Sequence, residues 1–363
     1  MRKQFYTPRH MPPDFIPIRP ELSLLAILGY AFFAFSVGLL LTPWFISFLR
    51  RNKLGKQLRV ETVDGREASI FRKYHENKMG TPTMGGLLIW GSILITVLFS
   101  RALALFGFVE NSLLQRGQVY LPLFMLVSLG LLGALDDYLN ISGVGKKRGL
   151  DVLPKITSLL VISTVGALWF YFKLGYAEIH VPFYGELAVG AFYIPLFIFI
   201  IIGTANAVNV TDGLDGLAGG LLMIAFGGFA LLAYMSGLAV LAAFCAVCAG
   251  AVAAFLWHNV PPALFFMGDT GSLALGGTLG VIALMIDHVL VLPLLGFVFV
   301  IEMLSVIIQL TSKRLRGGKK VFRAAPIHHH FEALEWGESK VTMRFWIIGA
   351  FFAFLGIIVG IAG

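Results

Sequence analysis

The amino-acid sequence predicts an all-α fold, a polytopic membrane helical bundle with ten transmembrane helices and both termini extracytoplasmic. Three observations lead there. Of the 363 residues, 58% are hydrophobic and 13% charged, with a mean hydropathy of +0.84, where soluble domains carry roughly 25% charged residues. The apolar residues are gathered in ten long stretches. The basic residues are crowded into a few of the segments between them.

The stretches begin near Leu22, Thr83, Tyr120, Pro154, Gly190, Gly216, Leu238, Ser272, Leu290 and Val341. A hydrocarbon core of about 30 Å takes about 20 apolar residues per helix, and each stretch is close to that length. Backbone groups in lipid must be satisfied within the segment, so long runs without strand-like alternation mean helices and not a barrel. Residues 1–21 carry Pro8, Pro12, Pro13, Pro17 and Pro20 and no apolar core. They read as a loose or interfacial lead-in, not a cleavable signal peptide, ahead of a single integral membrane domain over 22–363. Pro43 and Pro293 read as helix kinks or starts. Cys245 and Cys248 lie three apart in the seventh stretch. With nothing in the neighbouring sequence to activate a thiol, they are expected to be small buried hydrophobes.

Lys and Arg bias short loops towards the cytoplasm. Residues 50–78 hold nine of the 28, residues 146–155 four and residues 313–344 eight. These are the first, third and ninth loops, all odd, and therefore share one side, which the rule makes cytoplasmic. That orientation sorts the polar motifs without reference to their content. Thr81-Pro-Thr-Met-Gly-Gly86 closes loop one, Asp136-Asp137 opens loop three, Asn206 to Asp215 forms loop five, Trp257 to Ser272 loop seven, and His328-His329-His330 lies in loop nine. All fall on the cytoplasmic side. Asn140-Ile-Ser142 and Asn209-Val-Thr211 match glycosylation acceptors, but that placement removes the reading. The basic residues serve the membrane topology, and no nucleic-acid partner is expected.

An Asp at the centre of a membrane helix costs about 2.5–3.5 kcal/mol on insertion scales. Asp136, Asp137, Asp212, Asp215 and Asp269 all adjoin apolar stretches. Helix caps would explain one or two of them; five on one side, with Asn206 and Asn209, indicate a site. Carboxylates and carboxamides without interleaved Cys or His suit a hard cation. Mg²⁺ takes one or two carboxylates and leaves its other positions to substrate phosphates and water. Gly268 and Gly271 flank Asp269 at a helix start that favours anions. Lys78, Lys146 and Lys155 are the basic candidates for phosphate oxygens. The composition thus points to Mg²⁺-dependent phosphoryl transfer. A secondary transporter is the rival class, but its acids would sit near the midplane and no inverted repeat is present in the chain.

The motifs Thr81-Pro-Thr-Met-Gly-Gly86, Asp136-Asp137-Tyr138, Asn206-Ala-Val-Asn-Val-Thr-Asp-Gly-Leu-Asp-Gly-Leu217, Phe266-Met-Gly-Asp-Thr-Gly-Ser272 and Ala325-Pro-Ile-His-His-His-Phe-Glu332 stand in register over nearly the whole chain. The sequence resembles the polyprenyl-phosphate N-acetylhexosamine-1-phosphate transferases, and its triple histidine resembles the branch acting on muramoyl-pentapeptide. The resemblance implies transfer of phospho-N-acetylmuramoyl-pentapeptide from UDP-N-acetylmuramoyl-pentapeptide to undecaprenyl phosphate, with Mg²⁺, at the inner face of the bacterial cytoplasmic membrane. It implies Asp269 as metal ligand and Asp136 and Asp137 at the reaction centre, the first as base. Asp215 is implied at the metal or nucleotide, and Asn206, Asn209 and Asp212 along the nucleotide and sugar. Asn259, Phe266, Gly268 and Ser272 are implied around the nucleoside, with Lys78, Thr83, Lys155, Gln309 and His328 to His330 as further pocket positions. The family usually carries a basic residue about three positions after the Asp pair. Here Asn140 stands there, and either it substitutes in part or Lys146 and Lys147 reach back. A homodimer is compatible with the sequence, and nothing in the sequence requires one.

Overall fold

The computed structural model describes residues 22–55, 80–109, 112–114, 117–143 and 149–363. Among them, ten long helices occupy the ten apolar stretches: α1 Leu24–Arg51, α2 Gly86–Leu105, α3 Tyr120–Ser142, α4 Val152–Leu168, α5 Tyr193–Thr211, α6 Leu217–Met235, α7 Ala239–Asn259, α8 Asp269–Met285, α9 Phe297–Leu315 and α10 Glu338–Ala362. The starts follow local chemistry. At the head of α1, Ser23 accepts the Ala26 N–H at 3.2 Å, the side-chain cap expected of a serine. Pro43 lies inside α1, and Pro293 opens a short helix, Leu292–Leu295, between α8 and α9. Eight of the ten are long and apolar enough to cross a membrane. The other two are special cases: α8 has 17 residues and, unlike the equally long α4, no π turn continuing it, and α9 carries Glu302, Lys313 and Arg314. The lead-in 1–21 and the basic residues of 56–78, Lys78 among them, lie outside the described residues, as do Lys146 and Lys147.

Two helices form the interior. Every residue of α8 from Thr270 to Met285 is buried, and α8 packs against α2, α3, α5 and α6. α7 lies among α1, α2 and α6 and is buried along most of its length, Cys245 and Cys248 included. A helix apolar on all sides belongs in such a position. Outer helices instead turn bulky apolar side chains outwards, Leu25, Leu28 and Phe32 on α1 and Ile347, Phe351 and Phe354 on α10. Lipid is as apolar as these side chains, so close packing between helices has to supply the association. Glycine makes that packing possible where α8 begins. A Cβ at Gly86 of α2 would collide with the Gly271 backbone, and one at Gly133 of α3 with the Asp269 carbonyl. Both neighbours therefore approach the first turn of α8 backbone to backbone.

Among the described residues, contacts gather the C-terminal ends of α1, α3, α5 and α7 with the N-terminal ends of α2, α4, α6, α8 and α10. The opposite end is less bland than its sequence suggests. Between α4 and α5, which are separated by a π turn at Trp169–Lys173, an antiparallel hairpin pairs Glu178–Val181 with Gly185–Ala188. The hairpin docks on the turn after α8: the His180 N–H donates to Asp287 Oδ1 at 3.0 Å and the Tyr176 hydroxyl to the Met285 carbonyl at 3.3 Å. Local alternation is too short there to announce a strand pair. Asp287 is 7% exposed. Burial pushes its carboxyl up to about 7, reinforced by Glu186 and Glu178 and opposed by the His180 N–H and ring.

An acid whose folded pKa is raised holds its proton where the unfolded chain, near about 4, has lost it. Its contribution to stability is complete below that lower value and is lost as pH rises towards about 7. Thermal unfolding of the detergent-purified protein tests this. The wild type should lose melting temperature relative to Asp287→Asn between pH 4 and 7 and track it above; a constant difference would contradict the assignment.

Candidate active site

The site is built around the N-terminus of α8. Two glycine-containing segments are laced together beside it: Phe266 N–H donates to Pro82 O at 2.8 Å, Gly85 N–H to Phe266 O at 2.8 Å and Gly86 N–H to Met267 O at 2.9 Å. The chain then turns through Gly268, whose φ of 72° and ψ of 178° form a combination essentially restricted to glycine. A helix start exposes four backbone donors, and all four are accounted for. Asp269 and Thr270 N–H donate to Asp137 Oδ1 and Oδ2 at 3.2 and 3.0 Å, joined by the Thr270 hydroxyl at 2.6 Å. Gly271 and Ser272 N–H donate to the Gly268 carbonyl at 3.1 and 3.0 Å. Asp137 is thus the cap of α8, supplied from another helix. Thr83 is buried beside it, its hydroxyl without a hydrogen-bond partner.

With the helix start held, Asp269 stands at the centre of a charged cluster. Lys155, in the first turn of α4, places Nζ 2.9 Å from Asp136 Oδ2 and also against Asp269 Oδ2. Asp136 is 3% exposed, and its other oxygen accepts the Leu150 N–H at 2.6 Å. Asn209 Nδ2 donates to Asp269 Oδ1 and Ser272 Oγ, both at 2.8 Å. Two anionic carboxylates in a poorly solvated place repel each other, and one ammonium between them offsets that. Among the described residues, Lys155 brings positive charge to Asp136 from the next helix, while Lys146 and Lys147 lie outside them.

Asp215 belongs to a second, adjoining network. Its Oδ2 accepts the Ala263 N–H at 2.9 Å and its own N–H donates to Glu338 Oε1 at 2.7 Å. Asn259 ties the same turn to the α8 approach, accepting from Gly216 N–H at 3.0 Å and donating to Phe265 O at 2.9 Å. Asn206 spends its amide on its own helix, at Ile202 O, and Asp212 ends α5. Phe266 is half-buried and enters through its backbone.

The histidine run forms a short helix, Ile327–Glu332, folded back on α9. Gln309 anchors the segment before it: its oxygen accepts from Val321 and Phe322 N–H at 2.9 and 3.0 Å, and its nitrogen donates to Phe322 O at 2.9 Å. His330 Nδ1 accepts the Arg323 N–H at 3.1 Å. His329 Nδ1 lies 2.6 Å from Glu332 Oε2, and His328 Nδ1 2.9 Å from Glu302 Oε2.

The structure therefore brings Asp136, Asp137, Lys155, Asn209, Asp269 and Ser272 into one bonded cluster. Asp215 and Asn259 line a neighbouring turn, and of the three histidines His328 faces that turn, at Gly213. Two acids outside the sequence motifs complete the networks, Glu302 and Glu338, together with Glu332 at the end of the histidine motif. Of the two, only Glu302 left a readable signal, as a carboxylate inside an apolar stretch.

Among the described residues, no three His, Cys, Asp or Glu side chains converge as a ready metal cage. The donor set nevertheless fits a hard divalent ion. Asp136 and Asp269 oxygens converge on one cationic atom, and one or two carboxylates are what Mg²⁺ asks of a protein when a diphosphate supplies the rest.

Comparison with known proteins finds relatives along most of the chain. Residues 119–287 match the family described as glycosyl transferase family 4. The chain is 41% identical over 338 residues to phospho-N-acetylmuramoyl-pentapeptide-transferase of Chloroflexus aurantiacus, covering 89% of this chain and 86% of that one. It is 41% identical over 343 residues to the same-named protein of a Geobacillus species, covering 93% and 97%, and 42% identical over 330 residues to that of Oceanobacillus iheyensis, covering 89% and 94%.

If Lys155 offsets the repulsion of Asp136 and Asp269, Lys155→Met should lower the melting temperature clearly, and adding Asp136→Asn should restore part of the loss. A coupling of about 0.5–3 kcal/mol between the two positions is expected. Strictly additive losses would show that the ammonium holds no such balance.

Proposed function

The chain belongs to the phospho-N-acetylmuramoyl-pentapeptide transferases, and from that premise we propose that it moves phospho-N-acetylmuramoyl-pentapeptide from its uridine diphosphate carrier to undecaprenyl phosphate. The products are lipid I and UMP, in peptidoglycan synthesis. The observation that carries the reading is the meeting of Asp136, Asp137, Lys155, Asn209 and Asp269 at one end of the bundle, the end to which the basic loops belong. We place that end in the cytoplasm, the ten helices across the bacterial inner membrane as a single domain from residue 22, and both termini on the far side. The positive-inside rule supports this placement.

Undecaprenyl phosphate is a monoester with a second pKa near about 6, so it is largely dianionic at neutral pH before any base acts. The obstacle is the approach of one anion to another. Mg²⁺ is the proposed cofactor, supplying charge neutralisation at the diphosphate when bound. Asp269 is its proposed ligand, with Asp215 at the metal or the nucleotide. Asp137 holds the α8 start, and through it the Asp269 backbone, at a defined position. Lys155 presents positive charge where the lipid phosphate has to come.

Asp136 has both oxygens engaged, by Leu150 N–H and by Lys155, and so does Asp269, by Asn209 and Lys155. One donor on each oxygen leaves a further lone pair for a metal ion, but the donors and the ammonium lower the nucleophilicity of both carboxylates. This supports direct in-line attack of the lipid phosphate on the β-phosphorus, with the bond to UMP breaking as the new P–O bond forms, over a covalent aspartyl-phosphate. It also supports Asp136 in positioning rather than as base. Asn206, Asp212, Asn259, Phe266, Gly268 and Ser272 are proposed to line the nucleoside and sugar, with Thr83, Gln309 and His328 to His330 towards the sugar and peptide. Lys78 is carried by the resemblance alone. Membrane lipid surrounds the chain, and a homodimer is compatible with the proposal.

A transfer assay with undecaprenyl phosphate, run with each of UDP-N-acetylmuramoyl-pentapeptide and UDP-N-acetylglucosamine, tests the substrate. UMP should appear with the first only, should vanish on chelation and return with Mg²⁺, and should be abolished by Asp269→Ala. Full activity in that variant would refute the metal assignment. A chiral β-phosphorus should invert, and retention would establish the covalent route instead.

A further inference from the structure

Glu302 lies in the body of α9 and is completely buried. An ionisable group in a membrane helix is costly enough to mark a function and to require a named partner. Here the partner is His328, itself buried, with Nδ1 2.9 Å from Glu302 Oε2. The outer atom of each member, Glu302 Oε1 and His328 Nε2, is buried with no hydrogen-bond partner. A pair kept for stability alone would be equalled or bettered by two apolar side chains of the same volume. The unused atoms point to a different purpose.

Charge balance determines the state of the ring. If Glu302 is ionised, the interior requires an imidazolium, with hydrogen on both nitrogens. If the proton sits on Glu302, its O–H donates to Nδ1, and the neutral ring carries its hydrogen on Nε2. A neutral ring with hydrogen on Nδ1 alone would leave a bare carboxylate in the interior, the costly case. Both balanced states place a hydrogen on Nε2. That nitrogen faces Gly213, in the turn from Asp212 to Asp215, and a Cβ at residue 213 would collide with it. Glycine is what lets the turn lie directly against Nε2 with no side chain between them.

We propose that Glu302 is a positioning residue that holds His328 as a hydrogen-bond donor at Nε2, directed at the Asp212–Asp215 turn to meet an anionic oxygen of the nucleotide sugar. The proposal rests on the reading of that turn as part of the nucleotide-sugar site. Glu302 acts only through the ring and touches no substrate.

Two measurements on the full-length purified protein decide it. In ¹⁵N-histidine-labelled wild type, with the His328 signal assigned by its loss in His328→Gln, Nε2 should resonate in the hydrogen-bearing range at neutral pH. Glu302→Gln keeps the shape, but its amide can turn either face to Nδ1 and no longer dictates which nitrogen carries hydrogen. Losing one hydrogen bond to a charged group corresponds to about 10- to 100-fold, so KM for the nucleotide sugar should rise by that factor. Turnover should stay within about threefold and the Mg²⁺ dependence should be unchanged. An Nε2 without hydrogen overturns the proposal, and so does a wild-type KM in Glu302→Gln. Should the wild-type protein release no UMP from either nucleotide sugar, the reading of the reaction fails instead, and the ring-nitrogen resonance still decides the state of His328.

Discussion

α8 begins inside the protein, and a helix that begins there presents four backbone donors to a medium without water. Asp137 accepts two of them and the Gly268 carbonyl the other two, and much of the remaining arrangement depends on this solution. The cap has to come from a neighbouring helix, which requires α3 to pass against the first turn of α8 at backbone distance. Gly133 allows that approach, and Gly86 allows the same on the α2 side. The residue delivered by the capped turn is Asp269. Its place is therefore determined by three helices.

One charge relation follows from that placement. Bringing Asp269 beside Asp136 sets two carboxylates together where solvent screens them poorly, and Lys155 between them makes the arrangement tolerable. On the proposed reading the same ammonium also serves a substrate phosphate, a use of basic side chains common at sites handling phosphate.

The acidic turn after α5 and the histidine run are held by different means. Glu338 and Asn259 fix the turn through its backbone, leaving side chains on its other side for chemistry. The histidine helix is held to α9 by Gln309 and Glu302. Around Trp336, whose ring lies tilted against Phe331 with centroids 4.7 Å apart, Lys340 and Arg344 lie 4.9 and 4.4 Å from the ring. These contacts couple the histidine helix to the start of α10, which follows it in the chain.

By itself the sequence determined the fold class, the number and span of the long helices, and the sharing of one side by every acidic motif. Those properties follow from hydropathy and charge, which act along the chain and are read locally. It also determined that Asp269, Asn209 and the Asp pair belong together. Only the tertiary structure decided how they meet: that Asp137 caps a helix, that Lys155 lies between Asp136 and Asp269, and that Glu302 pairs with His328. Each of these is a contact between residues 19 to 133 positions apart, and no local pattern carries such a pairing. The hairpin at Glu178–Ala188 escaped for a related reason: its strands are too short for alternation to register, and they are held by Asp287, more than a hundred residues away.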